Sequence, residues 1–406
     1  MKAGQVSILH FDNARIRAGV EEHILVLLRG LDRSYFRLLL ACTPELAEAL
    51  GPDVPGDVEV IPLRLEGIQD LAGAWRLARL LRERRPDVVH SHLFQASRLA
   101  SPVAWLCGVP LVVETPHLRE KWRKGWLKGN FAIDRLVGRA VDYYIAVSEA
   151  NARYLISEKR LPERKIVTIQ NGGDLTRFDS AHIPPGGMRQ SLDFGEKDPV
   201  LVVLARLEPQ KGHEVLLRAL PAVARKFPSV RLVCVGEGAL RAELEAMARY
   251  LGIESNARFV GYQSSPADWL ALADISVLPS HFEGLPIAAI ESLAMAKPMV
   301  ATDVDGTSEV VINGKTGLTV PPDRPEPLAD AVCLLLGDAE LRQRLGQAGR
   351  EWVLGRFSQE RQVRMTAELY RRALGRTAEG LEPAKSVRDH GVRSGVPTAG
   401  PLGGGK

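Results

Sequence analysis

The sequence predicts an α/β protein of two Rossmann-like, doubly wound domains facing each other across a cleft. Three observations carry that prediction. The chain has 406 residues, more than one hydrophobic core ordinarily serves. Short apolar runs alternate with amphipathic helical stretches, and the alternation occurs twice. Between the two series lies "SAHIPPGGMRQSLDFGEKDP", residues 180–199, where Pro and Gly cluster and periodicity is lost. Strand–helix alternation of this kind makes parallel sheets covered on both faces.

Taken in order, the strand candidates of the first half are 6–10, 36–41, 58–62, 87–91, 111–115, 143–148 and 165–170. Helical patterns such as "AGAWRLARLLRERR" separate most of them. The second half offers 200–205, 231–236, 258–261, 275–279 and 298–302, and helical segments follow to about Arg372. The expected domains are 1–185 and 186–375, with the last helix packing back on the first domain. The tail 376–406 lacks apolar residues to bury and is expected to be disordered.

Composition excludes several classes. With 45% hydrophobic and 25% charged residues the chain reads as soluble and globular, and a net charge of +4 is far from a nucleic-acid-binding signature. The four cysteines (Cys42, Cys107, Cys234, Cys333) lack metal-ligand spacing and read as buried thiols of a reducing compartment. No apolar run approaches the roughly 18 residues that cross a bilayer. The short apolar start is better explained as a first strand than as a secretory signal, so a cytoplasmic protein is expected.

In open parallel sheets, ligands bind beyond the carboxyl ends of the strands. There the sequence places Gly19, His90 and His92, His117, "NGGD" (171–174), Arg206 with Lys211, Gly236-Glu237-Gly238, Gly261-Tyr262, "HFEGLP" and "DVDG". Arg206 and Lys211 precede a helix start near Gly212, a combination suited to phosphate, although two solvated cations are the plain alternative. "VGEGALR" is half of a dinucleotide fingerprint, with Arg241 where the third glycine belongs, so NAD is not expected and a tight turn explains it as well. The helix after Pro286 is apolar all round except for Glu291, which argues burial. A buried carboxylate needs donors, and sugar hydroxyls would supply them. An ion pair with Lys297 is the alternative. His90 reads as packed, and His117, in a loop crowded with cations, as the better candidate for a reacting centre. "HLREKWRKGWLKGNFAIDRLVGRA" (117–140) mixes cations with Trp122, Trp126 and Phe131, which fits an anionic membrane surface or an ordinary solvated helix.

Several of these segments, "VLARLEPQKG", "VGEGALRAELE", "FVGY" and "HFEGLPIAAIESLAMAKPMVATDVDGTSEVVINGKTGLTVPP", with "IAVSEA" and "IQNGGDLTRF" upstream, resemble the family-4 retaining glycosyltransferases over roughly residues 5–375. The spacing of Glu283 and Glu291, with seven residues between them, is the most specific part. The resemblance implies the GT-B architecture, with an acceptor-side first domain and a nucleotide-sugar-binding second domain. It implies that Arg206 and Lys211 hold the donor diphosphate and that Glu291 binds ribose hydroxyls. Glu283, with the backbone of Gly284, Leu285 and Pro286, would hold the sugar. Gly261 and Tyr262 would receive the base, Gly236 would line the same site, and His117 would lie beside the anomeric carbon. Gly19 would let the first loop approach the phosphates, although Ala18 stands where the family often has a second glycine. No metal or cofactor is implied, the donor being a co-substrate. The expected reaction is transfer of a hexose-type sugar, with retention, to a hydroxyl of a glycan or lipid-linked acceptor in cell-surface polysaccharide or glycolipid synthesis. The protein would be peripheral on the inner membrane face if the 117–140 contact is real. The rival readings are a sugar-nucleotide epimerase of the same architecture and a catalytically silent binding subunit.

Overall fold

A computed structural model describes residues 5–17, 19–67, 69–120, 131–179 and 186–375. The first seven strands are β1 (Val6–Asp12), β2 (Phe36–Cys42), β3 (Glu59–Pro62), β4 (Val88–His92), β5 (Leu111–Thr115), β6 (Tyr143–Ala146) and β7 (Ile166–Thr168). They form one sheet in the order β3-β2-β1-β4-β5-β6-β7. The second sheet contains β8 (Val200–Leu204), β9 (Arg231–Val235), β10 (Ala257–Gly261), β11 (Ile275–Leu278), β12 (Met299–Thr302) and β13 (Leu318–Val320), in the order β10-β9-β8-β11-β12-β13. Every pairing is parallel, as in Ile8 opposite Leu38 and Val202 opposite Val233. In each sheet the strand order reverses beside the first strand, between β1 and β4 and between β8 and β11. Those two reversals are where a crevice opens.

Side-chain alternation explains why each sheet is covered twice. Val6 and Ile8 of β1 join one core cluster while Leu9 and Phe11 join the opposite one. In β8, Val200 and Val202 face one core, and Leu201 and Val203 the other.

Each of the twelve expected strands forms. β13 was not anticipated, because three residues at a sheet edge, two of them half-buried, carry little periodicity. The stretch read as irregular also holds a short helix, Gly186–Ser191, anchored where Met188 and Leu192 reach the second core and Arg189 donates to the Asp198 carbonyl at 2.9 Å. Residues 180–185 and the tail 376–406 lie outside the described residues.

The chain crosses between domains twice in close contact. Gly173 bridges Ser358, its amide donating to the Phe357 carbonyl at 3.0 Å. A Cβ on Gly172 would stand 2.2 Å from the Ser358 carbonyl oxygen, so the glycines of "NGGD" are accounted for by this chain crossing. The last helix, Gln359–Ala373, then lies on the first domain, where Ala367, Leu369 and Tyr370 join the core beneath helix Gly19–Gly30.

Candidate functional site

The second-domain half of the cleft grows from the ends of β8 and β11. Arg206 follows β8 directly. The turn Pro209–Lys211 leads to Gly212, whose φ of +63° and approach to the Pro279 carbonyl leave no room for a side chain. Helix His213–Lys226 starts there without a side-chain cap, which leaves the positive end of the helix beside Lys211. Beyond β11, Glu283 is buried and its Oε1 accepts from Lys211 Nζ at 2.6 Å and from Ser280 Oγ at 2.7 Å. Its Oε2 accepts nothing among the described residues. Arg206, in turn, donates to Glu208 at 2.7 Å. The cations do not stand free opposite the acids: each is paired, and Glu208 is a partner the sequence reading missed.

Glu291 corrects a second expectation. Helix Ile287–Ala294 buries Ala289, Ile290, Leu293 and Ala294, whereas Ile287, Ala288 and Glu291 form a half-buried face. Pro286 is the N-cap rather than part of the first turn. The carboxyl of Glu291 is pushed up to about 8, first by burial and then by Glu22 of helix Gly19–Gly30, against the pull of Arg177. These neighbours lie in the first half of the chain, so Glu291 faces the other domain. Lys297 is not its partner, since Lys297 Nζ donates to the Ala271 carbonyl at 2.9 Å.

The first-domain half of the cleft is a set of five buried histidines supplied by β1, β4, the loop after β5 and the first helix. His10 Nδ1 lies 3.2 Å from His92 Nε2, and His92 Nδ1 lies 3.4 Å from His117 Nε2. His90 is held between Thr115 Oγ1 at 2.7 Å and Tyr370 Oη at 2.6 Å. His23 Nδ1 meets Asn171 Oδ1 at 2.8 Å and Gln362 Nε2 at 2.9 Å. Burial holds these imidazoles neutral, His10 falling to about 3 and His23 to about 4, and it carries His90, His92 and His117 well below the ordinary range. His23, His92 and His117 each offer a nitrogen within 4.8 Å of the others, a spacing a zinc-type ion could bridge. As the chain stands, His92 Nδ1 and His117 Nε2 face each other.

The two halves touch. A Cβ on Gly284 would lie 1.9 Å from the His117 carbonyl oxygen, and one on Gly306 would lie 2.0 Å from the Gly284 oxygen. Ser148 Oγ donates to the Gly284 carbonyl at 3.0 Å. Asp305, from the "DVDG" strand end, accepts from the Glu283 amide at 3.1 Å and from Arg119 at 3.4 Å. His117 and Glu283 are therefore brought to one place by the fold.

The remaining expected residues divide. Leu285 is buried beside Gly284. Gly236 has φ +146° and packs against the Ala205 carbonyl, so its lack of a side chain is explained by the protein itself. Gly261, at φ +74°, accepts on its carbonyl from the Gly236 amide at 2.9 Å. Tyr262 is largely exposed, and Gly19 opens on empty space. Of the stretch 117–140, residues 121–130, including Trp122 and Trp126, lie outside the described residues.

Comparison with known proteins agrees with this architecture. The model of the glycosyl transferases group 1 matches residues 187–352, and that of glycosyltransferase family 4 matches residues 17–177. A glycogen synthase of Mycobacterium tuberculosis is 33% identical over 73% of this chain and 71% of its own. A GDP-mannose-dependent alpha-(1-6)-phosphatidylinositol monomannoside mannosyltransferase of the same species is 31% identical over 70% and 75%. Among solved structures, Anabaena HepE in complex with UDP superposes with a TM-score of 0.77 at 20% identity, covering 90% of this chain and 99% of that one. WaaG, a glycosyltransferase involved in lipopolysaccharide biosynthesis, gives 0.72 at 16% identity, covering 90% and 99%. Two parallel-sheet domains closing on a cleft of this kind define a GT-B glycosyltransferase. The chain belongs to the group 1 glycosyltransferases, with a first domain of family 4.

Proposed function

We propose that this glycosyltransferase moves a hexose-type sugar from a nucleotide diphosphate sugar to an acceptor hydroxyl, retaining the anomeric configuration and using no bound metal. The observation that carries the reading is the Lys211–Glu283 pair. It sets a cation at a helix start next to a carboxylate with one oxygen left open, opposite His117. Lys211 and Arg206 would stabilise charge on the departing diphosphate, and Glu283 Oε2 would accept from a sugar hydroxyl. The bond from C1 to the phosphate oxygen breaks as the acceptor oxygen bonds C1 on the same face. The acceptor proton passes to the departing phosphate. Glu291 would take ribose hydroxyls, and the backbone at Gly261-Tyr262 the base. The names of the relatives support a nucleotide-sugar donor, and they support a polymeric or lipid-linked acceptor in cell-surface glycan or glycolipid synthesis.

No described helix is long and apolar enough to cross a membrane. Ile133 and Leu136 are exposed beside Arg135 and Arg139, which favours a peripheral contact with an anionic inner-face membrane. The test is a panel of UDP-, GDP- and ADP-sugars followed by thermal shift. It continues with release of nucleotide diphosphate in the presence of chelator and with the anomeric configuration of the product by NMR. One donor should raise the melting temperature and turn over with retention. Inversion, or activity abolished by chelator, would overturn the mechanism.

A further inference from the structure

The segment 303–309, between β12 and β13, makes a set of contacts that donor binding does not require. Its Asp305 and Gly306 touch Arg119, Ser148 and Gly284, and it ends at Glu309. The carboxylate of Glu309 reaches into the other domain and accepts from the amides of Glu149 at 3.1 Å and Ala150 at 2.8 Å, the first two residues of the nine-residue helix Glu149–Ser157. It also accepts from Gln170 Nε2 at 2.8 Å.

The third orphan amide of that helix, Asn151, is satisfied within its own domain by Ser148 Oγ at 3.0 Å. The helix start is thus completed by a residue about 160 positions away, and a negative charge at the positive end of a helix is the favourable sense. Gln170 lies one residue before Asn171, Gly172 and Gly173, where the chain crosses Ser358. The Glu309 carbonyl accepts from Trp352 Nε1 at 3.1 Å, on the helix that leads into that crossing. The contact therefore sits beside the chain crossings.

We infer that Glu309 is a positioning residue, an anion seated in a helix-end socket about which the two domains are set. It fixes how far His117 stands from Lys211 and Glu283. A carboxylate received by several amides tolerates small rotations while holding its centre in place, as a pivot must. The inference rests on the transferase reading only for its effect on turnover.

The test is Glu309→Gln. It keeps the size of the side chain but removes the charge and turns an N–H group toward amides that themselves donate. Nucleotide diphosphate is expected to bind within the second domain, so affinity for free UDP, GDP or ADP, whichever the native enzyme takes, should stay within about twofold. Turnover should fall at least tenfold, and small-angle scattering should show a broader distribution of interdomain distances. Unchanged scattering with full turnover, or nucleotide affinity lost in step with turnover, would overturn the pivot. If Glu309→Gln accumulates unfolded, Gln170→Ala removes one donor of the socket from outside the helix and should give the same split at smaller size. A native enzyme that transfers no sugar from any donor would sink the transferase reading, and scattering would still decide the pivot.

Discussion

At the scale of single residues, the pairing of Lys211 with Glu283 decides how the site should respond to mutation. Lys211→Met should lower kcat by roughly 10²–10³-fold if Lys211 stabilises the leaving diphosphate, the range seen when one preorganised donor is removed. It also strands a buried carboxylate, which then seeks a proton. The double variant with Glu283→Gln should therefore melt higher than Lys211→Met alone while remaining inactive, and additive melting shifts would show that the pair is not coupled. Glu291 makes a different forecast. Its folded-state carboxyl sits at about 8, above the ordinary 4.5 of the unfolded chain, so the fold favours the protonated form. That stability is fully present below 4.5 and is lost as pH rises through 8. Glu291→Gln, which mimics the protonated group, should gain melting temperature relative to the native protein as pH goes from 5 to 9. A pH-independent difference would mean that Glu291 is solvated. Because the neutral form dominates at pH 7, the same variant should keep most of its donor affinity, unlike Glu291→Ala.

At the scale of elements, the histidines bind β1, β4, the loop after β5 and helix Gly19–Gly30 into one neutral cluster, and this ties stability to acid. The unfolded chain takes up protons on these residues below about 6.5. The folded chain refuses them until far lower, about 4 for His23 and about 3 for His10. Stability is therefore lost as pH falls through this window, at up to about 1.4 kcal/mol per pH unit for each histidine. The buried Glu114, raised to about 8, works in the opposite sense. His10→Asn should flatten the dependence of melting temperature on pH between 6.5 and 4.5, and an unchanged slope would place the cluster in contact with water. The sequence made some of this legible and hid the rest for identifiable reasons. Short apolar runs set between helical patterns located β1 to β12, whereas β13 is three residues at a sheet edge with two prolines directly after it. Arg206, Lys211, Glu283 and His117 were readable because they follow strand ends. The assembly of His10, His23, His90 and His92 around His117 was not, since the strand order that gathers them is a property of the sheet. Glu208 and Glu309 were missed for the same reason: each matters through a partner distant in sequence or set by a turn.

At the scale of the whole molecule, helix Gln359–Ala373 belongs to the second half of the chain by position and to the first domain by packing. Tyr370 is fully buried against that domain's core and is the hydrogen-bond partner of His90, while Gln362 donates to His23 and accepts from the Gly172 amide at 2.7 Å. The first domain is therefore incomplete until the last described residues have been added. Removing everything after Phe357 would expose the apolar face that covers Leu27, Leu28 and Phe36, and it would leave the buried His90 nitrogen without its partner. Each such orphan costs about 1–3 kcal/mol, on top of the lost burial. The expected outcome is loss of cooperative melting in the first domain, with hydrogen exchange rising first in β1, β2 and helix Gly19–Gly30. The second domain, whose two cores draw little from that helix, should keep its protection. Tyr370→Phe isolates one part of the effect: it retains the packing, and it should lower stability by about the cost of one orphaned nitrogen with full turnover per folded molecule. If the truncated chain melted as the native protein does, the helix would be an accessory. If it failed as described, the two domains are coupled through folding as well as through the cleft, because the chain that completes one is delivered by the other.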